Sequence, residues 1–236
     1  MNLDTTYRSQ AEELMDDFSM EGTALQEALD KIASINRLLG GNTLTLQGVQ
    51  QLLKQPTEDT LTIVDVGCGN GDMLRTLANY ANDNDLNWQL IGIDANAFTI
   101  NYAKSLSVIY PNITYHCKDL FSEAFSQMNY DILLCTLTLH HFRNDQIATL
   151  LDVFHRQSRI GIVINDLHRS KLAYRLFQLV CFVFRLNPMS RQDGLTSILR
   201  GFKKEELEGF AKGITAEKQR IKWKWAFRYQ WVVWKG

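Results

Sequence analysis

The chain has 236 residues, 45% of them apolar, with 25 Lys/Arg against 26 Asp/Glu; this suits one soluble α/β domain with a small helical appendage and excludes a disordered chain. No apolar run is long enough to span a bilayer and the acidic start lacks a signal-peptide core, so a cytoplasmic protein with reduced thiols is expected, its four cysteines showing neither CxxC nor metal-ligand spacing. The near-zero net charge conceals 9 Lys/Arg against 20 Asp/Glu in residues 1–158 and 16 against 6 in residues 159–236; a cationic ligand suits the first part and an anionic or membrane partner the second, unless two faces of one domain balance.

Residues 8–39 read as helices, with Leu14, Phe18, Leu25, Leu29, Ile32, Ile35 and Leu39 at mostly three- and four-residue steps and a break at SMEG. The pair Gly40-Gly41 reads as a helix stop, and a short helix over 45–54 ends at Pro56. Residues 1–56 thus form a helical cap before a domain at 57–236. Short β-type runs follow at 61–66, 88–94, 113–119, 130–136 and 159–166, with helix-length segments at 72–82, 97–109 and 144–157 between most of them. Such alternation predicts an α/β fold with a parallel sheet and crossover helices. Residues 171–186 read as an apolar helix and 202–212 as an amphipathic one, the stretch 171–212 forming a lid or substrate-side insertion. The alternation over 221–235 fits one long strand or a hairpin turning near Trp225-Ala226, the hairpin being more compact.

The first strand runs into VDVGCGNGD, with glycines at 67, 69 and 71. In an open parallel sheet, ligands sit beyond the carboxyl ends of the strands. Three details separate this loop from a dinucleotide cradle. The spacing is GxGxG, whereas a pyrophosphate seat uses GxGxxG. Asp65 and Asp72 bracket it, repelling phosphate but suiting an ammonium and a sulfonium. The next strand ends in Asp94, 23 residues after Gly71, placed to accept two ribose hydroxyls. Together they favour S-adenosylmethionine.

The ordered set VDVGCGNGD, IGIDAN, CKDL and YDILLCTLTLHHF resembles the class I S-adenosylmethionine-dependent methyltransferases over roughly residues 60–236. The resemblance implies a Rossmann-like seven-stranded, mostly parallel sheet with an antiparallel last strand. It further implies Asp65, Gly67 and Gly69 at the methionine end, Asp94 at the ribose, and Asp119 and Leu120 at the adenine, with Gly71 and Ala95 also binding the cofactor. The backbone near Cys135 and Thr136 would meet the cofactor carboxylate or amine. The flanks AEELMDD, INRLLGG, NDLHRSKLAYRLF and RQDGLTSILRGFKKEEL resemble a bacterial subgroup often found near polyketide or pigment biosynthesis genes, which implies a small lipophilic or phenolic acceptor.

For a hydroxyl acceptor a general base helps, and histidine suits neutral pH. His140 and His141 follow the fourth strand; Asp166 and His168 follow the fifth. The plainer readings are a loop-orienting His, a capping Asn-Asp turn and an exposed His. The large apolar side chains of 171–186 form either a lid or ordinary core. The basic C-terminal part, with Trp223, Trp225 and Trp231, suits contact with anionic lipid or an acidic carrier protein, or else packs in the core. No base-flipping motif or separate recognition module argues for nucleic acid, so a small-molecule acceptor is expected. Two other functions stay open: a cofactor-binding sensor or assembly protein without catalysis, and an NAD(P)-dependent oxidoreductase, which the glycine spacing and flanking acids oppose.

Overall fold

The computed structural model describes residues 3–53 and 60–235. After a 3-10 turn at Leu14–Asp16, the elements in order are α1 (Thr23–Leu38), α2 (Gly41–Leu52), β1 (Leu61–Val66), α3 (Asp72–Asp83), β2 (Trp88–Asp94), α4 (Ala97–Leu106), β3 (Ile113–Cys117), α5 (Glu123–Ser126), β4 (Tyr130–Thr136), α6 (Asn144–Gln157), β5 (Ser158–Leu167), α7 (Lys171–Val183), α8 (Pro188–Arg200), α9 (Lys204–Ala211), β6 (Lys218–Lys224) and β7 (Arg228–Trp234).

The strands form one seven-stranded sheet in the order β3-β2-β1-β4-β5-β7-β6. The first five run parallel, and β7 lies antiparallel to both β5 and β6. The interior strands are nearly continuous apolar runs because helices cover both faces. Successive residues serve opposite cores. Ile63, Val163 and Val232 pack with Leu74, Leu77 and Trp88 on one side, and Val64, Ile162 and Trp231 pack with Leu150 and Phe154 on the other. Helix α3 contributes Met73, Leu74, Leu77, Ala78 and Ala81, one stripe at helical spacing. Strand order reverses between β1 and β4, which opens a crevice above their carboxyl ends.

Several expectations need correction. Residues 8–18 are not a helix. Beyond the 3-10 turn they run as irregular chain, and Leu14 and Phe18 are exposed. Their backbone is tied to distant groups: Ser9 N–H donates to Leu199 O, and Leu14 and Met15 N–H donate to the Asp193 carboxylate at 2.8 and 3.1 Å. Those tertiary bonds outweigh a local periodicity with few residues to support it. Gly40 takes the left-handed conformation and ends α1, but α2 starts at once at Gly41. The proposed stop at Pro56, and with it the 56/57 boundary, lies outside the described residues. Helix α2 packs on the sheet itself, Gly48 lying so close to Val163 that a Cβ there would overlap the valine side chain.

The C-terminal alternation is a hairpin turning at 225–227, with β6 as the sheet's edge. That edge carries Lys218, Arg220, Lys222 and Lys224 on one parity, a charge pattern that discourages edge pairing. Trp231 is core, whereas Trp223 and Trp225 are exposed. Segment 171–186 stops as a helix at Val183, and α8 follows it, an element the sequence reading lacked. The outer side chains of α7, among them Leu172, Phe182 and Val183, are exposed, so ordinary core packing does not describe that face.

Candidate active site

A cavity of about 1230 Å³ occupies the crevice above the carboxyl ends of the strands, larger than the usual range for one small ligand and so roomy enough for two. Its floor is the glycine loop. Gly67 (φ +66°) sits beneath Thr138, and a side chain there would overlap that residue. Gly69 (φ +52°) donates its N–H to Asp94 Oδ2 at 3.1 Å, while Asn96 N–H donates to Oδ1 at 3.0 Å. Those two bonds hold the Asp94 carboxylate at the cavity wall.

Asp65 is different. It is 2% exposed and its Oδ1 has no hydrogen-bond partner among the described residues. Burial, with the charge of Asp94 nearby, pushes its carboxyl up to about 8. A buried carboxylate with no partner is costly unless a ligand answers it. Asp72, by contrast, is answered from within the fold: Arg37 pairs with it at 3.0 Å and Asn42 Nδ2 donates to it at 2.7 Å.

The opposite wall is built around the two histidines. His140 is buried; its backbone N–H donates to Asp166 Oδ2 at 3.1 Å and its Nδ1 meets Asp166 Oδ1 at 2.7 Å. Burial works to raise Asp166, but the adjacent imidazole and the backbone donors of His140 and Leu167 hold it below the usual carboxylate range. An ionised Asp166 only accepts, so Nδ1 of His140 carries the proton and Nε2 is left with a lone pair in the neutral ring. That Nε2 has no partner among the described residues; it lies 3.7 Å from Glu13 Oε1, which has none either. Burial pushes the Glu13 carboxyl up.

His141, whose side chain is 27% exposed, places Nδ1 2.6 Å from Asp16 Oδ1. Arg200 bridges the elements: it pairs with Asp16 Oδ2 at 2.5 Å and donates to the carbonyls of His140 and His141. Arg8 donates to the carbonyls of His140 and Phe142 at 2.9 and 3.0 Å. Burial tends to raise Asp16, but His141 and Arg200 carry it well below the ordinary range. Glu13, His140 and His141 bring three potential metal-ligand atoms within 4.8 Å of one another. The two rings lie 4.3 Å apart, tilted by 30°, and His141 Nδ1 is taken by Asp16.

Residues 63–161 match the family described as Methyltransferase domain. The matched stretch holds the glycine loop and strands β2, β3 and β4. Over 87 residues, 37% of this chain, the sequence is 32% identical to protein 235L of Invertebrate iridescent virus 6, also assigned as a methyltransferase; the match spans only 30% of that protein. Among solved structures, the chain is similar to the plantazolicin methyltransferase BpumL in complex with SAH, at a TM-score of 0.64 and 17% identity over 90% of this chain and 94% of that one. It is also similar to the magnesium protoporphyrin IX methyltransferase of Synechocystis PCC 6803 with bound SAH, at a TM-score of 0.50 and 14% identity over 94% and 93%. The seven-stranded mixed sheet is thus the Rossmann-like methyltransferase fold.

The cavity brings together most of the cofactor residues expected from sequence: Asp65, Gly67, Gly69, Asp94, Ala95, Asp119, Leu120 and Thr136 all line it. Two do not. Cys135 is fully buried among Val66, Leu133 and Ile164, on the core side of β4. Gly71 instead ends the loop at φ +77°, where any side chain would strike the Tyr115 hydroxyl. Of the histidine candidates, His140, His141 and His168 line the cavity, whereas Asp166 stands behind His140. His168 accepts a bond from Trp223 Nε1 at 3.2 Å, and burial lowers its pKa. Sequence reasoning missed Glu13, Asp16, Arg8 and Arg200. AEELMDD carried the acids, but their helical reading hid that they cross the fold to meet the histidine loop.

Proposed function

We propose that this chain transfers the methyl group of S-adenosylmethionine to a small lipophilic or phenolic acceptor, with oxygen as the receiving atom. The observation that carries the cofactor assignment is the unanswered carboxylate of Asp65, beside Asp94, at a glycine loop where neither acid has a cation in ion-pair contact among the described residues. A pyrophosphate would add negative charge there, whereas an ammonium would answer it. Two structural relatives in complex with SAH support the same reading.

The residues fit such a cofactor. Asp65 receives the ammonium, the Asp94 carboxylate accepts from ribose hydroxyls, and Asp119 with Leu120 meets the adenine. When bound, the cofactor supplies an electrophilic methyl on a sulfonium. The chain's own part is to hold the acceptor oxygen in line and exclude water. His140 Nε2 takes the acceptor's proton, and Asp166 holds the ring in the right tautomer and stabilises the imidazolium. His141, paired to Asp16, fixes the loop from which His140 projects.

Calorimetric titration with S-adenosylhomocysteine, with NAD and NADP as controls, tests the assignment. Micromolar binding of the first, lost in Asp94→Ala, is expected. Binding of a nicotinamide nucleotide instead would overturn it, and cofactor binding without turnover on any phenolic acceptor would favour a non-catalytic sensor.

A further inference from the structure

Arg228, the first residue of β7, is 3% exposed and lines the cavity. Its Nε and Nη1 have no hydrogen-bond partner among the described residues. Asp166 is the one carboxylate whose charge acts on it, but both Asp166 oxygens are engaged by His140 and the Leu167 backbone. Gly41 has no side chain, which lets Asn36 and Arg228 pack close against its backbone: a Cβ there would overlap Asn36 Oδ1 and lie 2.9 Å from Arg228 Nη1. Asn36 Oδ1, at the cavity wall, is a second polar atom beside Gly41 without a partner among the described residues; its Nδ2 is committed to Asn42 at 2.5 Å.

A guanidinium always carries its charge and presents a planar fork matched to a carboxylate. Buried without an acceptor, it destabilises the free protein; buried to meet an anion, it gives selectivity. We infer that Arg228 is a carboxylate-binding residue of the cavity, its partner being a carboxylate on the bound small molecules. That chemistry has two sources: the amino-acid carboxylate of the cofactor, or a carboxylate on the acceptor, which would then be an aromatic hydroxy acid or similar anion. The inference rests on the cofactor reading for the first source and is independent of it for the second.

The experiment compares wild type with Arg228→Met and Arg228→Lys by calorimetry, using three probes: S-adenosylhomocysteine, 5′-methylthioadenosine, which lacks the amino-acid carboxylate, and 4-hydroxybenzoate. If the cofactor supplies the anion, Arg228→Met weakens S-adenosylhomocysteine at least tenfold, leaves methylthioadenosine unchanged, and Arg228→Lys recovers part of the loss. If the acceptor supplies it, S-adenosylhomocysteine binding is unchanged and 4-hydroxybenzoate binding is lost. Thermal melting of the ligand-free variants is an independent check: Arg228→Met should melt at the wild-type temperature or above, because an unpaired buried charge has been removed. A lower melting temperature with all three affinities unchanged would overturn the proposal and make Arg228 structural. Wild type failing to bind S-adenosylhomocysteine would sink the cofactor reading, while the 4-hydroxybenzoate arm would still decide the Arg228 assignment.

Discussion

Replacing Asp65 by asparagine tests whether the glycine loop stores an unanswered charge. Asp65 is raised from 3.8 to about 8 by burial and by Asp94. Between pH 5 and 7 the folded chain therefore keeps this proton, whereas the unfolded chain has lost it. Stability falls as pH rises wherever the folded state binds more protons, by about 1.4 kcal/mol per pH unit for one group. Over that window the group removes roughly 2.7 kcal/mol from the ligand-free wild type. The asparagine of Asp65→Asn has no proton to lose, although its amide forgoes a partner at every pH. The difference in melting temperature between variant and wild type should thus move by roughly 5–10 °C in the variant's favour from pH 5 to pH 7. Differential scanning calorimetry reads it. S-adenosylhomocysteine binding to wild type near pH 6.5 should release about one proton, visible as a dependence of the heat on buffer ionisation enthalpy, and Asp65→Asn should weaken binding tenfold or more. A variant-to-wild-type difference constant to within about 1 °C, with no proton release, would refute the reasoning.

Three further changes probe other parts of the molecule. His140→Gln should lower kcat by about 10²–10⁴ on an identified hydroxyl acceptor while leaving S-adenosylhomocysteine affinity unchanged; equal rates would remove His140 as the base. Gly48→Ala places a methyl against Val163 between α2 and β5 and should cost about 1–3 kcal/mol, read as a lower denaturation midpoint at unchanged slope. Arg169, fully buried, pairs with Glu206 at 2.7 Å and donates to the carbonyls of Thr5, Thr6 and Gly201. Arg169→Leu should therefore speed amide exchange selectively over residues 3–18 and weaken ligand binding, since that segment walls the cavity; uniform exchange rates would show that the N-terminal chain is held elsewhere.

The parallel sheet was legible because its strands are short apolar runs separated by helix-length segments, so that period and length agreed. The gathering of Asp65, Gly67, Gly69, Asp94 and Asp119 at one cavity was legible for a related reason: all sit at strand ends or in the turns beyond them, where the topology alone points them at one crevice. Failures cluster where long-range bonds decide. The segment 8–18 has helical spacing, yet Asp193 and Arg200 take its backbone and acids into tertiary bonds with residues 179 and 184 positions away. At the end of β4 strand alternation divides the pair expected there: the Cys135 side chain packs in the core and Thr136 lines the cavity. Helix α8 begins at Pro188, with Asn187 as its cap accepting from Ser190 N–H at 2.8 Å, a start signal that was present but unread.

The charge asymmetry of the sequence takes on a meaning in the fold. A small part of it is cancelled along one seam, where Arg200 from the basic part meets Glu13 and Asp16 from the acidic part. What is left over at the cavity is of both signs: Asp65 from the acidic part without a cation, and Arg228 from the basic part without an anion, among the described residues. Each alone penalises the ligand-free fold, and neither can be relieved by the other while both stand apart without an ion pair. A ligand carrying both an ammonium and a carboxylate relieves the two penalties together. Its binding would then raise stability by more than its contact area suggests, and increasingly as pH rises toward about 8, up to which the Asp65 penalty of the ligand-free protein keeps growing. An adenosine derivative without the amino-acid portion fills the same crevice but relieves neither charge, so its stabilising effect should stay nearly flat across pH 5–7 where that of S-adenosylhomocysteine rises.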